Sequence, residues 1–389
     1  MLNAPPLHDP QFLAGDPFPA FRCLRAEAPI YWHPTPGFWA LTRHEDVVAV
    51  SRDPATFCSS RGILLSDIER PIMPRQSIIY IDPPEHAKYR KLVQPAFSPG
   101  RLRALEDRIA ELVRALSSDI DENGINDFVD VFAAPLPLLV IADMLGVPGA
   151  DRVRFKRWSD AIIDAGTQPS PENMAQSVEL LEYFGSVIAE RRARPGDDLI
   201  SVLVHSEIDG ERLEEFDLLM FCMTLLVAGN ETTRNLLSHG ALALATYPDQ
   251  RTLLAGDPAL VPRAVEEMLR WGSPVASFMR MATRETDLRG TCIREGDRLL
   301  LLYTSANRDP DVFGADAEEF RVLRDTTRHV AFGFGEHFCL GAQLARMEAR
   351  IAITHLLERF RSWDLAGTVE RLPSLFMRGI VRLPLTLSR

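Results

Sequence analysis

The run "AFGFGEHFCL" occupies residues 331–340, and Gly341 follows it. Three phenylalanines, two glycines and a histidine frame a single thiol, Cys339. Just downstream, Leu340, Leu344, Met347 and Ile351 fall on one stripe at helical spacing, so a helix is expected to begin at or just after Cys339. Unpaired amide N–H groups and the positive end of the helix dipole favour a thiolate at such a place. Glycines at 333, 335 and 341 permit a tight turn and close backbone approach to something flat and large. A lone cysteine in a Gly-rich turn is ordinarily a buried structural residue, but this frame is more elaborate than that role needs.

The rest of the chain bounds what the thiol can hold. The 389 residues suffice for a deep core, and a charged fraction of 25% with 46% hydrophobic residues is an ordinary globular balance. The formal charge of −11 opposes phosphate backbones and argues against nucleic acid as a partner. The five cysteines, at 23, 58, 222, 292 and 339, are odd in number and lack CxxC spacing. That argues against a zinc site and a disulfide framework, and a reducing, cytoplasmic location is expected. The start "MLNAPPLHDP" shows no signal-peptide pattern. The longest apolar run, Leu218 to Gly229, is too short for a membrane span and leads into Asn230 and Glu231. No membrane anchor is therefore expected.

No repeat or flexible linker divides the chain, so one domain over residues 1–389 is expected. The densest proline patches, near 5–36 and 71–84, read as ordered loops. "FWALTRHEDVVAV" reads as strand then helix. Residues 102, 105, 109, 112, 113 and 116 make one apolar helical face. The pattern predicts a long helix from about Leu213 to Thr246, ended before Pro248, and another over Pro262 to Trp271. Short strands are expected in "DRLLLLYTS" and "IVRLPLTL". The class is mainly α with a minor β component.

Phe332-Gly333-x-Gly335-x-His337-x-Cys339-x-Gly341 resembles the haem-binding loop of the cytochrome P-450 family, the haem-thiolate monooxygenases, and every constrained position is met. The resemblance implies a single-domain, mainly α fold with a minor β subdomain enclosing haem b (iron protoporphyrin IX). It implies Cys339 as the thiolate ligand of the iron, with Phe332 and Gly341 beside the cofactor.

Further elements follow in family order. "AGNETT" places polar residues inside the long apolar helix, where each needs a partner. A hydroxyl bonded back to the previous turn is the bland reading. The segment is also similar to the family's acid–alcohol pair, which implies that Glu231 and Thr232 deliver protons to bound dioxygen. Glu267 and Arg270 have the i, i+3 spacing of many surface pairs. They resemble the family's buried Glu-x-x-Arg, with Arg324 as third member, although "FGADAEEF" lacks the proline usual in that segment. His86 and Arg90, at i, i+4 in "EHAKYR", resemble a haem-propionate clamp, to which Arg280 and His337 add two contacts.

The implied reaction inserts one atom of dioxygen into an apolar molecule of steroid, terpenoid or lipid type. No flavin or iron–sulfur module is visible, so two electrons are expected from a ferredoxin with an NAD(P)H-dependent ferredoxin reductase. An acidic ferredoxin would meet a locally basic face, for which Lys88, Lys91, Arg101, Arg103 and Arg346 are candidates. By analogy the substrate pocket draws on Ile63, Leu64, Leu65 and Ile68, on Thr224, Val227 and Ala228, on Val275, Ala276 and Phe278, and on Phe376 and Met377. These are mostly apolar, although Arg61 and Arg378 sit close by in sequence. A peroxide-using haem peroxygenase and a non-catalytic haem-based sensor are the alternatives. The retained Glu231–Thr232 pair weighs against both.

Overall fold

In the computed structural model, residues 5–69, 77–122, 124–167, 170–208 and 210–389 are described. Helices supply most of the core, and a twisted five-stranded sheet flanks them. The sheet order is Ile30–His33, Phe38–Leu41, Arg298–Leu302, Ser277–Ala282 and Phe57–Cys58. Neighbours pair antiparallel except Arg298–Leu302 with Phe38–Leu41, which run parallel. A second sheet joins Ser362–Leu365, Pro384–Ser388 and Asn126–Asp127.

Periodicity explains the helices. In Pro99–Ser118, Leu102, Ile109, Leu112 and Val113 of the face read from the sequence are buried, Leu105 and Leu116 are half-buried, and Ser117 is buried beside them. The long helix spans Glu215–Thr246; the Asp217 carboxylate accepts from the Glu214 N–H at its start. Pro248 opens the next helix and blocks extension. Within the long helix, a Cβ at Gly229 would lie 2.7 Å from Ile141 Cδ1, and one at Gly240 would lie 2.8 Å from Met268 Sδ. These two glycines let Pro135–Met144 and Val261–Gly272 pack closely onto it.

The proline-rich start departs from the expected loop. Residues 5–36 carry two helices, Pro10–Ala14 and Phe18–Glu27, and a strand. Prolines occupy the first turns of both helices, where the missing N–H costs nothing. Of the other patch, Ile78–Tyr80 forms a 3-10 turn, and residues 71–76 lie outside the described residues. Among the described residues, no helix is long and apolar enough to cross a membrane.

Candidate haem and oxygen site

The thiol loop is built as a tight ladder before its helix. Gly335–His337 makes one 3-10 turn, the Cys339 N–H donates to the Phe332 carbonyl at 2.9 Å, and the helix runs over Ala342–Arg359. Burial pushes the Cys339 thiol above its ordinary value; a hydrogen bond from the Gly341 N–H and the charges of Arg90 and Arg346 act in the opposite direction. The expected thiolate bias of the helix start is thus present but outweighed by desolvation until a cation binds the sulfur.

The three glycines divide their work. Gly333 and Gly335 have φ of +72° and +75°, which favour glycine. A Cβ at Gly335 would also lie 2.2 Å from the Ser51 carbonyl oxygen, so this residue accommodates the His44–Arg52 helix rather than a cofactor. Gly341 has φ of −85°, and its Cβ would meet nothing within 4 Å. Neither its backbone nor its described neighbours demand glycine, and open space lies on its Cβ side.

Four basic groups gather beside the thiol loop: His86 and Arg90 from one helix, Arg280 from a strand and His337 from the loop itself. The His86 and His337 rings lie 4.2 Å apart, and His337 Nε2 stands 3.1 Å from Ser59 Oγ. Arg90 Nη1 donates to the Glu336 carbonyl at 3.2 Å, and Arg280 Nη1 to the Met279 carbonyl at 2.7 Å. Burial, then Arg90 and Arg280 against the opposing Asp82, bring the His86 pKa down to about 4. Burial, Arg280, His86 and Arg90 bring His337 down to about 2, so both rings are neutral donors. Among the described residues, neither Arg90 nor Arg280 has a carboxylate within ion-pair distance, although Arg280 is buried. Unpaired guanidiniums of this kind fit an external dicarboxylate. The thiol, the cation pair and the unencumbered Gly341 together fit haem.

The polar segment of the long helix shows the hydroxyl back-bond read from the sequence, together with an ion pair on its carboxylate. Thr232 Oγ1 donates to the Ala228 carbonyl at 2.6 Å, the back-bond to the previous turn. Glu231 is buried, with Oε2 2.6 Å from Arg234 Nη2. Asn230 Nδ2 donates to Ser159 Oγ at 3.0 Å, pinning the helix to Arg152–Thr167. Ala228 is exposed although residues one turn on either side are largely buried, so open space lies against it.

Glu267 and Arg270 are both 0% exposed. Arg270 Nε and Nη2 reach the two Glu267 oxygens at 2.6 and 2.8 Å, and the guanidinium also donates to the carbonyls of Asn307, Ala317 and Glu319. Glu267 Oε1 additionally accepts from the Arg321 N–H at 2.8 Å and from Arg324 Nε at 3.3 Å. Arg324 therefore reaches the pair without the usual proline, held by Asp316 as well.

The substrate-pocket residues separate into two sets. The Ile63 carbonyl accepts from the Met279 N–H, the Phe376 carbonyl accepts from the Ala276 N–H, both at 2.7 Å, and Val275 bridges Met377. These bonds bring the Ile63–Leu64 loop, the Val275–Phe278 segment and the C-terminal turn together, with Phe278 leaning on Tyr303. Leu65 and Ile68 do not join them. The 3-10 helix Leu65–Ile68 turns these two into the cluster around Phe21, Leu24 and Met279. Thr224 donates to Ser77 Oγ at 3.0 Å and to the Met220 carbonyl, and Val227 is half-buried on the same helix.

Two proposed docking cations are already committed. Arg346 pairs with Glu266 at 2.7 Å and lies over the Phe332 ring, while Lys88 pairs with Glu211. Lys91, Arg101 and Arg103 remain exposed. Composition alone could not show the Glu266 pairing. The same carboxylate accepts from His329 at 3.0 Å, and its pKa falls to about 2 because the Arg346 and His329 contacts outweigh burial. Asp82, which accepts from the Ser59 N–H at 2.7 Å and stands near Glu336 and His337, was also missed; no spacing rule signals it.

The family model described as Cytochrome P450 matches residues 259–388. The methyl-branched lipid omega-hydroxylase of Mycobacterium tuberculosis is 41% identical, covering 95% of this chain and 90% of that protein. The linalool 8-monooxygenase of Pseudomonas putida is 35% identical over 99% of both. The crystal structure of CYP109E1 from Bacillus megaterium in complex with testosterone superposes with a TM-score of 0.87, at 35% identity, over 95% of this chain and 99% of that one. A fold and site of this kind define a haem-thiolate monooxygenase. The chain belongs to the cytochrome P450 family.

Proposed function

We propose that this monooxygenase hydroxylates a hydrophobic small molecule of steroid, terpenoid or lipid type in the cytoplasm, with O2 and two electrons from a ferredoxin and its NAD(P)H-dependent reductase. One observation carries the substrate class. The Arg378 side chain, adjacent in sequence to the expected pocket, turns away and donates to the carbonyls of Trp271 and Gly272. That leaves the pocket expected around Ile63, Val227, Ala228, Val275, Ala276 and Phe376 apolar and without that carboxylate anchor. Relatives named for a branched lipid and for linalool, and a neighbour holding testosterone, span the same chemistry.

In this reading Cys339 ligates the iron, His86, Arg90, Arg280 and His337 hold the propionates, and Phe332 and Gly341 border the macrocycle. When bound, haem supplies the oxygen-activating chemistry. Glu231, held by Arg234, would release that partner to pass a proton toward Thr232, whose Oγ1–H would leave the Ala228 carbonyl to donate. Glu267, Arg270 and Arg324 hold the surrounding backbone. An acidic ferredoxin meets the face carrying Lys91, Arg101 and Arg103.

The test is a haem spin-state titration with apolar and charged compounds, followed by product analysis with a ferredoxin system. Saturable shifts with apolar compounds and hydroxylated products are expected. Shifts confined to charged, water-soluble compounds would contradict the substrate class.

A further inference from the structure

A second pocket, of about 680 Å³, lies away from the thiol loop. The Pro10–Ala14 helix, the end of Val261–Gly272 and the hairpin strand Glu370–Leu372 surround it. Phe18, Tyr247 and Trp271 form its walls, and Arg308, Arg371 and Arg378 line it. No part of the proposed oxygen chemistry uses these three arginines.

Their charges are poorly balanced from within the chain. Arg308 pairs with Glu318 at 2.9 Å, but Glu318 also serves Arg25 at 3.3 Å and Arg22 at 3.8 Å. Arg378 is buried; its Nη1 donates only to main-chain carbonyls, those of Trp271 and Gly272, each at 3.0 Å. Among the described residues, no carboxylate comes within ion-pair distance of Arg371 or Arg378, and the buried Arg371 Nη1 has no hydrogen-bond partner. Arg308 and Arg378 also crowd one ring, their guanidinium carbons 3.6 and 4.7 Å from the Phe18 centroid. Burial first, then Arg308 and Arg371, push Arg378 well below its ordinary value. Asp16 and Glu318 are the acids at the pocket. Packing like charges out of water without a counter-ion is costly.

We propose that this pocket binds a phosphate monoester with a planar body, its phosphate between Arg371 and Arg378 and its ring against Trp271 and Tyr247. Two guanidiniums without carboxylates match a dianion, and their forked donors match phosphate oxygens. The aromatic walls favour a flat apolar group over a bare ion. Asp16 is the acid nearest to Arg371 in effect, and it competes with the ligand.

The experiment titrates phenyl phosphate, inorganic phosphate and phenol into the substrate-free holoprotein at constant ionic strength, by calorimetry and tryptophan fluorescence. One saturable site is expected, tightest for phenyl phosphate and undetectable for phenol. Arg371→Gln should weaken it about tenfold or more without changing the haem spectrum or the circular dichroism. Asp16→Asn should tighten it. Arg371 is the variant of choice because Arg378 also holds two backbone carbonyls. Absence of saturable binding, or equal affinity in the wild type and Arg371→Gln, would overturn the site. Inorganic phosphate binding as tightly as phenyl phosphate would overturn the role of the rings.

Discussion

Thr232 gives its hydroxyl proton to the Ala228 carbonyl at 2.6 Å, and Glu231 holds Arg234 one turn along. Both groups therefore have a resting partner within the helix, and a relay role requires each to exchange it for water or substrate. Thr232→Ala should keep haem binding and fold, while product formed per NAD(P)H consumed falls at least ~10-fold and hydrogen peroxide rises. Fully coupled turnover in that variant would refute the role. At the same scale, Gly341 and Gly335 separate cofactor need from packing need. Gly341→Ala should cost the apoprotein no more than about 1 kcal/mol, as a change of cap residue, yet lower haem retention measured by dialysis. Gly335→Ala should destabilise the apoprotein by at least about 1–3 kcal/mol from backbone strain alone, because its Cβ also meets the Ser51 carbonyl. Equal effects of the two substitutions on apoprotein stability would contradict this division.

At the level of elements, Val261–Gly272 is fixed by a fully buried ion network rather than by apolar contact alone. Arg270→Leu takes the bidentate partner from Glu267, leaving it only Arg324 Nε and the Arg321 N–H on one oxygen, and removes donors from three carbonyls. A loss of about 3–5 kcal/mol in denaturant unfolding is expected. Arg270→Lys should not restore it, since a point charge cannot span both carboxylate oxygens and the carbonyls. The helix after the thiol loop carries a different burden. Glu348 is buried on it, with Oε2 unpartnered among the described residues, and burial raises its pKa to about 8. The folded chain keeps this proton up to about pH 8, whereas an unfolded glutamate releases it near ~4.3. Stability contributed by this group is therefore lost as pH rises between those values. Glu348→Gln should lie nearest the wild type below about pH 4, exceed it progressively as pH rises, and level off above about pH 8 with an advantage on the order of a few kcal/mol. Parallel pH profiles for the two proteins would contradict the assignment.

Across the whole molecule, what the sequence disclosed was what depends on short spacing. The Cys339 loop, the Glu267/Arg270 pair and the apolar face of Pro99–Ser118 all lie within one loop or one helix. What stayed hidden depends on segments distant in the chain. Gly335 answers to Ser51, Arg346 to Glu266, and the arginine pocket to residues from both ends of the chain. That Leu65 and Ile68 pack into the cluster around Phe21 and Leu24 was not legible, because the phase of a four-residue 3-10 turn depends on its neighbours. The claim joining all scales is that Cys339 carries the haem iron as a thiolate, with Arg90, Arg280, His86 and His337 beside it. The most direct test is the absorption spectrum of the freshly purified, reduced protein under carbon monoxide. The strongly red-shifted Soret band of thiolate ligation is predicted, and a Soret band at the histidine-ligated position in folded protein would contradict it.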